Sequence, residues 1–232
     1  MGRRTLRRID PRIDLRGYLH VLEQFAVPYD MTSLFDRLAP LEIEVGSGKG
    51  LFLDTASAEF PDHNYLGIEV ARRYARYTAA RLARGQRTNA RVLEGDAEQL
   101  FEQFLEADQV HAVHVYFPDP WWKKRHHKRR VMNDRFLRNV QRVLAPAGRL
   151  HFWTDVQDYY ERTLERIAAV TSLQGPEQVC EHPVTHDLDY RTHFERRTRL
   201  QNLPVYRAEF VAPGTVPHVS DQRAEPVTGS GS

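Results

Sequence analysis

A single cysteine, Cys180, stands among 232 residues, so the chain has no intrachain disulfide and no zinc site built on paired cysteines. Long apolar runs are missing as well. No stretch approaches the roughly 20 apolar residues of a membrane span, and the arginine-rich start lacks the apolar centre of a secretory signal. These absences lead us to expect a cytoplasmic protein with no membrane partner. Net charge is small too, a formal +2, so any affinity for a polyanion has to come from local clusters rather than from a whole-molecule field. His182 and His186 have a metal-ligand spacing, but Pro183 breaks the helix that would bring them to one face, and no metal is expected.

The clusters are present. Arg3, Arg4, Arg7, Arg8, Arg12 and Arg16 make a basic arm diluted by Asp10 and Asp14, within an N-terminal extension expected over residues 1–40. Arg72, Arg73, Arg76, Arg81, Arg84 and Arg87 crowd one predicted helix and its exit, where a solvated face opposite an apolar stripe is the simpler reading. The densest cluster runs from Lys123 to Arg130.

From Leu41 the hydrophobic pattern alternates regularly between strand and helix. Strands are expected at 41–45, 65–70, 91–94, 111–117 and 150–154. Helices are expected at 50–59, 71–83, 97–105, 133–144 and 156–169. Five such units imply an α/β domain with a doubly wound, mostly parallel sheet over residues 41–212. A closing strand at 205–211 calls for an antiparallel partner, which the sequence leaves unplaced. Residues 175–204 read as an insertion on the substrate side, and 213–232 as a tail that is flexible by composition.

The first strand-to-helix turn reads Glu44-Val-Gly-Ser-Gly-Lys-Gly50. Glycines there let the backbone approach a ligand. A dinucleotide fingerprint would place its third glycine one residue later and would seat a pyrophosphate on the helix N-terminus. Here an acid two positions before Gly46 argues against a phosphate and for a ligand carrying an ammonium, as S-adenosylmethionine does. The loop resembles motif I of Rossmann-like (class I) methyltransferases, and by that resemblance Glu44 faces the methionine portion while Gly46 and Gly48 leave it room. Glu69 closes the second strand about 20 residues beyond the glycines, where a ribose-hydroxyl acceptor is expected. Asp96 follows the third strand and either receives the adenine amino group or caps the next helix.

Phe117-Pro-Asp-Pro-Trp-Trp-Lys-Lys-Arg-His-His-Lys-Arg-Arg130 sets a lone carboxylate, Asp119, and two indoles against six Lys and Arg side chains. It follows an apolar strand, at whose C-terminal end ligands bind in open α/β sheets. Trp121 or Trp122 offers a face for a base, and the cations answer to phosphates.

These segments, with Thr154-Asp155 and Thr192-His-Phe-Glu195, resemble the bacterial tRNA (guanine-N7-)-methyltransferase family over roughly residues 41–206. The resemblance implies methyl transfer from S-adenosylmethionine to N7 of the variable-loop guanosine at position 46, with tRNA as partner and no obligate protein partner. It implies that Asp119 is catalytic and also borders the cofactor, that Lys123 and Asp155 contribute to substrate binding, and that Thr192, Phe194 and Glu195 close the pocket. Asp155 has an alternative as the N-cap of the following helix. Two other functions compete: an amino-group methyltransferase acting on adenine or glutamine, and a catalytically silent RNA-binding protein. Cofactor binding separates the second from the enzymes.

Overall fold

The computed structural model describes residues 6–177, 179 and 190–214. Cys180, the His182/His186 pair, Arg3, Arg4 and nearly all of the expected tail lie outside these residues.

Among the described residues, eight strands form one sheet. They are β1 (Leu19–Val21), β2 (Leu41–Val45), β3 (Asn64–Glu69), β4 (Ala90–Glu94), β5 (Val110–Tyr116), β6 (Leu144–Thr154), β7 (Gln174–Glu177) and β8 (Tyr206–Val211). Their order is β1-β4-β3-β2-β5-β6-β8-β7. All neighbours are parallel except the last two pairs, where β8 runs antiparallel to β6 and β7 antiparallel to β8. The connectivity reverses between β2 and β5, whose carboxyl ends therefore open a crevice. Val45 sits in register with both Ile68 and Val115, so the loops after β2, β3 and β5 leave the sheet side by side.

The two faces of the sheet differ. One is largely apolar: Ile43, Leu66, Leu93, Val113, Val115 and Phe152 share a buried cluster with residues of α4 (Asp134–Val143) and α5 (Gln157–Val170), and the exception on β4 is the buried Arg91, which lies over the Phe35 ring. A short α3 (Ala97–Gln99) also covers this face, and it continues as a π-helical turn at Leu100–Phe104 that turns Leu100, Phe101 and Phe104 all inward. Sequence periodicity predicts one ordinary helix there. The wider turn leaves its last carbonyls to the Arg142 guanidinium, which donates to Phe101 O and Leu105 O at 2.5 and 2.9 Å.

The opposite face lies under α1 (Leu51–Glu59), α2 (Arg72–Arg84) and α6 (His193–Leu200), and it is polar at its centre. Glu42, His114 and Tyr116 form a buried chain. Tyr116 Oη and His114 Nδ1 are 2.9 Å apart, His114 Nε2 and Glu42 Oε2 2.6 Å, and His63 Nδ1 and Glu42 Oε1 2.5 Å. Burial opposes ionisation of Glu42, but the two imidazoles outweigh it and pull its carboxyl down to about 2. His114 is itself held below the ordinary imidazole value by burial, which fits a neutral ring donating to a carboxylate.

Residues 1–40 are not simply an appendage. Leu19–Val21 pair with β4 as an edge strand, and Leu22, Met31 and Phe35 join the main core. Of the expected basic arm, Arg12 and Arg16 are spent on Asp10 and Asp14 two residues away, each at 2.7 Å. On α2, Ala75, Thr78, Ala79 and Leu82 face inward and Arg72, Arg73, Arg76 and Arg84 are exposed, as the solvated-face reading has it, whereas Arg81 and Arg87 are half-buried and pair with Asp54.

Candidate active site

The glycine loop between β2 and α1 is pinned from three sides. Gly46, Gly48 and Gly50 all have positive φ (77°, 53° and 66°), a region that other residues adopt with strain. Gly46 N and Ser47 N donate to Ile68 O, Thr78 Oγ1 donates to Gly48 O at 2.9 Å, and Glu69 Oε2 accepts Gly48 N–H at 2.9 Å. Gly67 makes close packing possible, since a Cβ there would lie 2.4 Å from Leu53 Cδ1.

Two clefts meet at this loop and share Gly46, Gly48, Tyr74, Tyr116 and Phe117. The first, about 540 Å³, runs along the ends of β3, β4 and β5 and is bordered by Glu69, Asp96 and Asp119. The second, about 670 Å³, lies between the loop and α6 and is bordered by Glu44, Lys49, Thr192, Phe194 and Arg197. Both volumes fall in the range of small-molecule sites.

Glu44 is 3% exposed, and its Oε2 has no hydrogen-bond partner. Burial, reinforced by Glu69, pushes its carboxyl well above the usual carboxylate range. A buried carboxylate without a partner is costly, and a cationic ligand group would satisfy it. Glu69 is already engaged: Oε2 takes Gly48 N–H and Oε1 takes Ala71 N–H, both at 2.9 Å. Each oxygen still has a lone pair for a further donor. Asp96 does cap α3, with Oδ1 accepting from Glu98 N at 2.7 Å, and it also borders the first cleft.

Asp119 is exposed, on a loop whose backbone is strained at both ends: Phe117 and Trp121 have φ of 50° and 45°. Such outliers cost about 1–3 kcal/mol each and cluster at functional sites. The loop is anchored by Arg130, which is 5% exposed and donates Nε to Pro120 O at 2.7 Å. That departs from its expected place in the phosphate-facing strip. Burial, not solvent, surrounds this guanidinium, which lies 4.5 Å over the Tyr159 ring. The two tryptophans separate clearly. Trp121 borders the first cleft with the Arg129 guanidinium 5.1 Å over its ring, whereas Trp122 is 74% exposed.

Among the residues expected on the acceptor side, Phe194 stacks on Phe117 with centroids 4.9 Å apart and carries the Arg197 guanidinium on its ring at 4.3 Å. Thr192 caps α6, its Oγ1 accepting from Glu195 N at 3.0 Å. Glu195 borders neither cleft. It is 3% exposed, and its carboxylate accepts Arg191 N–H at 2.7 Å and pairs with Arg207 at 3.1 Å, so it fixes α6 in place. Asp155 is half-buried and does not cap α5, whose N-cap is Val156. Burial raises its carboxyl above the ordinary value, against the pull of its own backbone amide and of Arg197. Lys123 is exposed and borders neither cleft. Sequence reasoning did not single out Val70, Tyr74 or Glu98, which also border the first cleft. Val70 carries a visible signal, an apolar residue directly after Glu69 that is 74% exposed. Among the described residues no group of three metal-ligating side chains is found, and no helix is long and apolar enough to cross a membrane.

A mostly parallel sheet with antiparallel β8, a glycine loop after β2 and acids at successive strand ends define a Rossmann-like methyltransferase. Solved structures share this fold at low identity. The 16S rRNA methyltransferase KamB superposes with a TM-score of 0.60 at 16% identity, covering 80% of this chain and 94% of that one. The antibiotic-resistance methyltransferase Kmr does so with 0.54 at 18% identity, covering 81% and 98%. A family model described as "Putative methyltransferase" matches residues 38–208. The tRNA (guanine-N(7)-)-methyltransferase of Rhodopirellula baltica is 50% identical over 213 residues, covering 89% of this chain and 79% of that protein. The protein of the same name from Syntrophotalea carbinolica is 37% identical over 166 residues, covering 72% and 70%. The chain belongs to the tRNA (guanine-N(7)-)-methyltransferase family.

Proposed function

We propose that the protein transfers the methyl group of S-adenosylmethionine to N7 of guanosine 46 in the variable loop of tRNA. The observation that carries this reading is the unpartnered, buried Glu44 carboxyl set across the glycine loop from the exposed, loop-strained Asp119. The first is a receptor for a cationic amino-acid end, and the second is a carboxylate at the mouth where an acceptor enters.

When bound, S-adenosylmethionine supplies an electrophilic methyl group on a sulfonium. Glu44 would hold its ammonium, the glycine loop would face its methionine portion, Glu69 would accept from the ribose hydroxyls and Asp96 from the adenine amino group. Val70, exposed in the first cleft, would offer the adenine an apolar contact.

Guanine N7 has an in-plane lone pair, so no residue has to remove a proton before the new N–C bond forms. The methyl's former bonding pair stays on sulfur, and the purine ring becomes cationic. Asp119 holds the guanine edge and opposes that growing positive charge, an electrostatic contribution set up before the reaction. Phe194, stacked on Phe117, and Thr192 form the wall that orients the ring. Lys123 and Asp155 bind the nucleotide at the rim, and Glu195 acts through Arg191 and Arg207 as a positioning residue. Alignment of the two reactants is the larger part of the catalysis.

The test is transfer of labelled methyl to unmodified tRNA, with borohydride and aniline cleavage to map 7-methylguanosine, run beside Asp119→Ala. One variable-loop cleavage that disappears in the variant supports the reading. Absence of 7-methylguanosine with cofactor still bound would overturn the acceptor, and loss of both would favour a silent RNA-binding protein.

A further inference from the structure

The two clefts of the site share five residues, and apart from Gly46 and Gly48 all of them are aromatic: Tyr74, Tyr116 and Phe117. The carboxylates lie to either side of this junction. Glu44 borders the second cleft only, and Glu69, Asp96 and Asp119 border the first only. Where the clefts join, the shared side chains therefore offer rings and no acid.

Each ring is held in its own way. Tyr74 lies in the first turn of α2, one helical turn before Thr78, whose Oγ1 donates to Gly48 O at 2.9 Å. Residues four apart share a helix face, so Tyr74 is directed at the same glycine loop, and it is half-buried there. Tyr116 is 8% exposed and locked from behind: its Oη lies 2.9 Å from His114 Nδ1, and the opposite nitrogen of that imidazole is held by Glu42 at 2.6 Å. The rings of Trp153 and Phe52 flank it, with centroids at 4.9 and 5.1 Å. Burial raises the Tyr116 hydroxyl well above the ordinary phenol value, so this ring stays neutral. Phe117 is committed to the other side, stacked on Phe194.

We infer that Tyr74 and Tyr116 form an aromatic seat for the sulfonium of S-adenosylmethionine and are the residues that distinguish the charged cofactor from its neutral product. The inference rests on the cofactor reading above. With the ammonium at Glu44 and the adenine at Asp96, the sulfonium, which links the methionine to the ribose, would fall where the two clefts join. The negative face of an aromatic ring attracts a cation, and more strongly where water is excluded. When the methyl group leaves, its bonding pair stays on sulfur, the positive charge there is lost and this attraction is lost with it. The seat therefore favours S-adenosylmethionine over S-adenosylhomocysteine, and its two rings set that preference without touching the acceptor.

The experiment measures dissociation constants of S-adenosylmethionine and S-adenosylhomocysteine by calorimetry, for the full chain and for Tyr74→Leu and Tyr74→Phe. Tyr74→Leu is expected to weaken S-adenosylmethionine about fivefold and S-adenosylhomocysteine by less than about twofold, whereas Tyr74→Phe keeps the parent's ratio. Pentafluorophenylalanine at position 74 keeps the shape of the ring and reverses its quadrupole, so it should lower the ratio as leucine does, even if the leucine variant fails to fold. At position 116 the fluorinated ring is compared with Tyr116→Phe for the same change. Equal weakening of both ligands would reduce these rings to apolar contacts and overturn the inference, as would an unchanged ratio with the fluorinated rings. If the parent binds neither ligand, the cofactor reading fails and this inference with it. If it binds both but makes no 7-methylguanosine, only the acceptor reading fails, and the ratio still decides whether the seat exists.

Discussion

Glu69 latches the glycine loop: its Oε2 accepts Gly48 N–H at 2.9 Å across the gap between β3 and the β2–α1 turn. The other oxygen accepts Ala71 N–H at 2.9 Å, so one carboxylate fixes the loops after two neighbouring strands. Charge-assisted bonds of this kind contribute about 1.5–3 kcal/mol each. Replacing Glu69 by Gln turns one acceptor into a donor that faces an N–H. We expect Glu69→Gln to weaken S-adenosylmethionine about tenfold in calorimetric titration. It should also lower stability by about 1–2 kcal/mol in urea unfolding. Unchanged cofactor affinity would remove Glu69 from the binding site.

Glu44 gives the pH dependence. Its folded-state carboxyl lies well above the unfolded value of 4.5, because burial and Glu69 disfavour the charge. The native state therefore binds more protons than the unfolded one, and stability falls as pH rises above 4.5 toward the folded value. Glu44→Gln removes this penalty. It is expected to raise the ligand-free melting temperature at pH 8 by about 2–4 °C, roughly 1 kcal/mol, while cofactor affinity drops by at least tenfold. In the parent, S-adenosylmethionine binding should release a proton, seen as a buffer-dependent enthalpy. A buffer-independent enthalpy would mean that Glu44 is already ionised.

The fold was legible because period and punctuation agreed. β2, α1, β3, α2, β4 and β5 fall within a residue or so of where the apolar pattern puts them, and β8 was anticipated as a closing antiparallel strand. β1 and β7 were not, for a physical reason. Leu19–Val21 is a three-residue edge strand within a charged segment, and Gln174–Glu177 contains Gly175 and Pro176 and is exposed along its length, so neither has a hydrophobic signature. At the site, the acids were legible because each ends a predicted strand. The engagement of Glu195 with Arg207 was not, since the two residues are brought together only by the return of β8 along β6. The buried chain through Glu42 and His114 was equally hidden, because Glu42 in Leu41-Glu-Ile-Glu-Val45 reads like the solvent-facing position of an alternating strand, and only the fold brings His114 and His63 to it.

Gly50 marks where close approach, rather than ligand access, sets the residue. A Cβ there would lie 2.3 Å from Thr78 Cγ2, and φ is 66°. Gly50→Ala is expected to destabilise the protein by about 2–4 kcal/mol, measured by urea unfolding, with α1 displaced from α2. The pair Gly50→Ala/Thr78→Ala should recover part of that loss. No recovery would show that the backbone conformation alone determines the cost.

Trp122 isolates nucleic-acid contact from folding. It is 74% exposed, so Trp122→Ala should change stability by less than about 0.5 kcal/mol. If the indole stacks on a base next to the target, tRNA binding weakens by about 1–3 kcal/mol while turnover at saturating tRNA is kept. An unchanged dissociation constant would leave stacking to Trp121 alone.

One wall of the second cleft belongs to a late part of the chain. Every loop that frames the first cleft precedes Met132, whereas Thr192 and Phe194 lie on α6, which is held through Glu195 by Arg207 on β8. In chain order the loops of the first cleft are therefore complete long before Arg207, the residue that holds α6, is reached. Because Glu44 and Lys49 line the same cleft as Thr192 and Phe194, that cleft has one wall from the start of the domain and the other from its end.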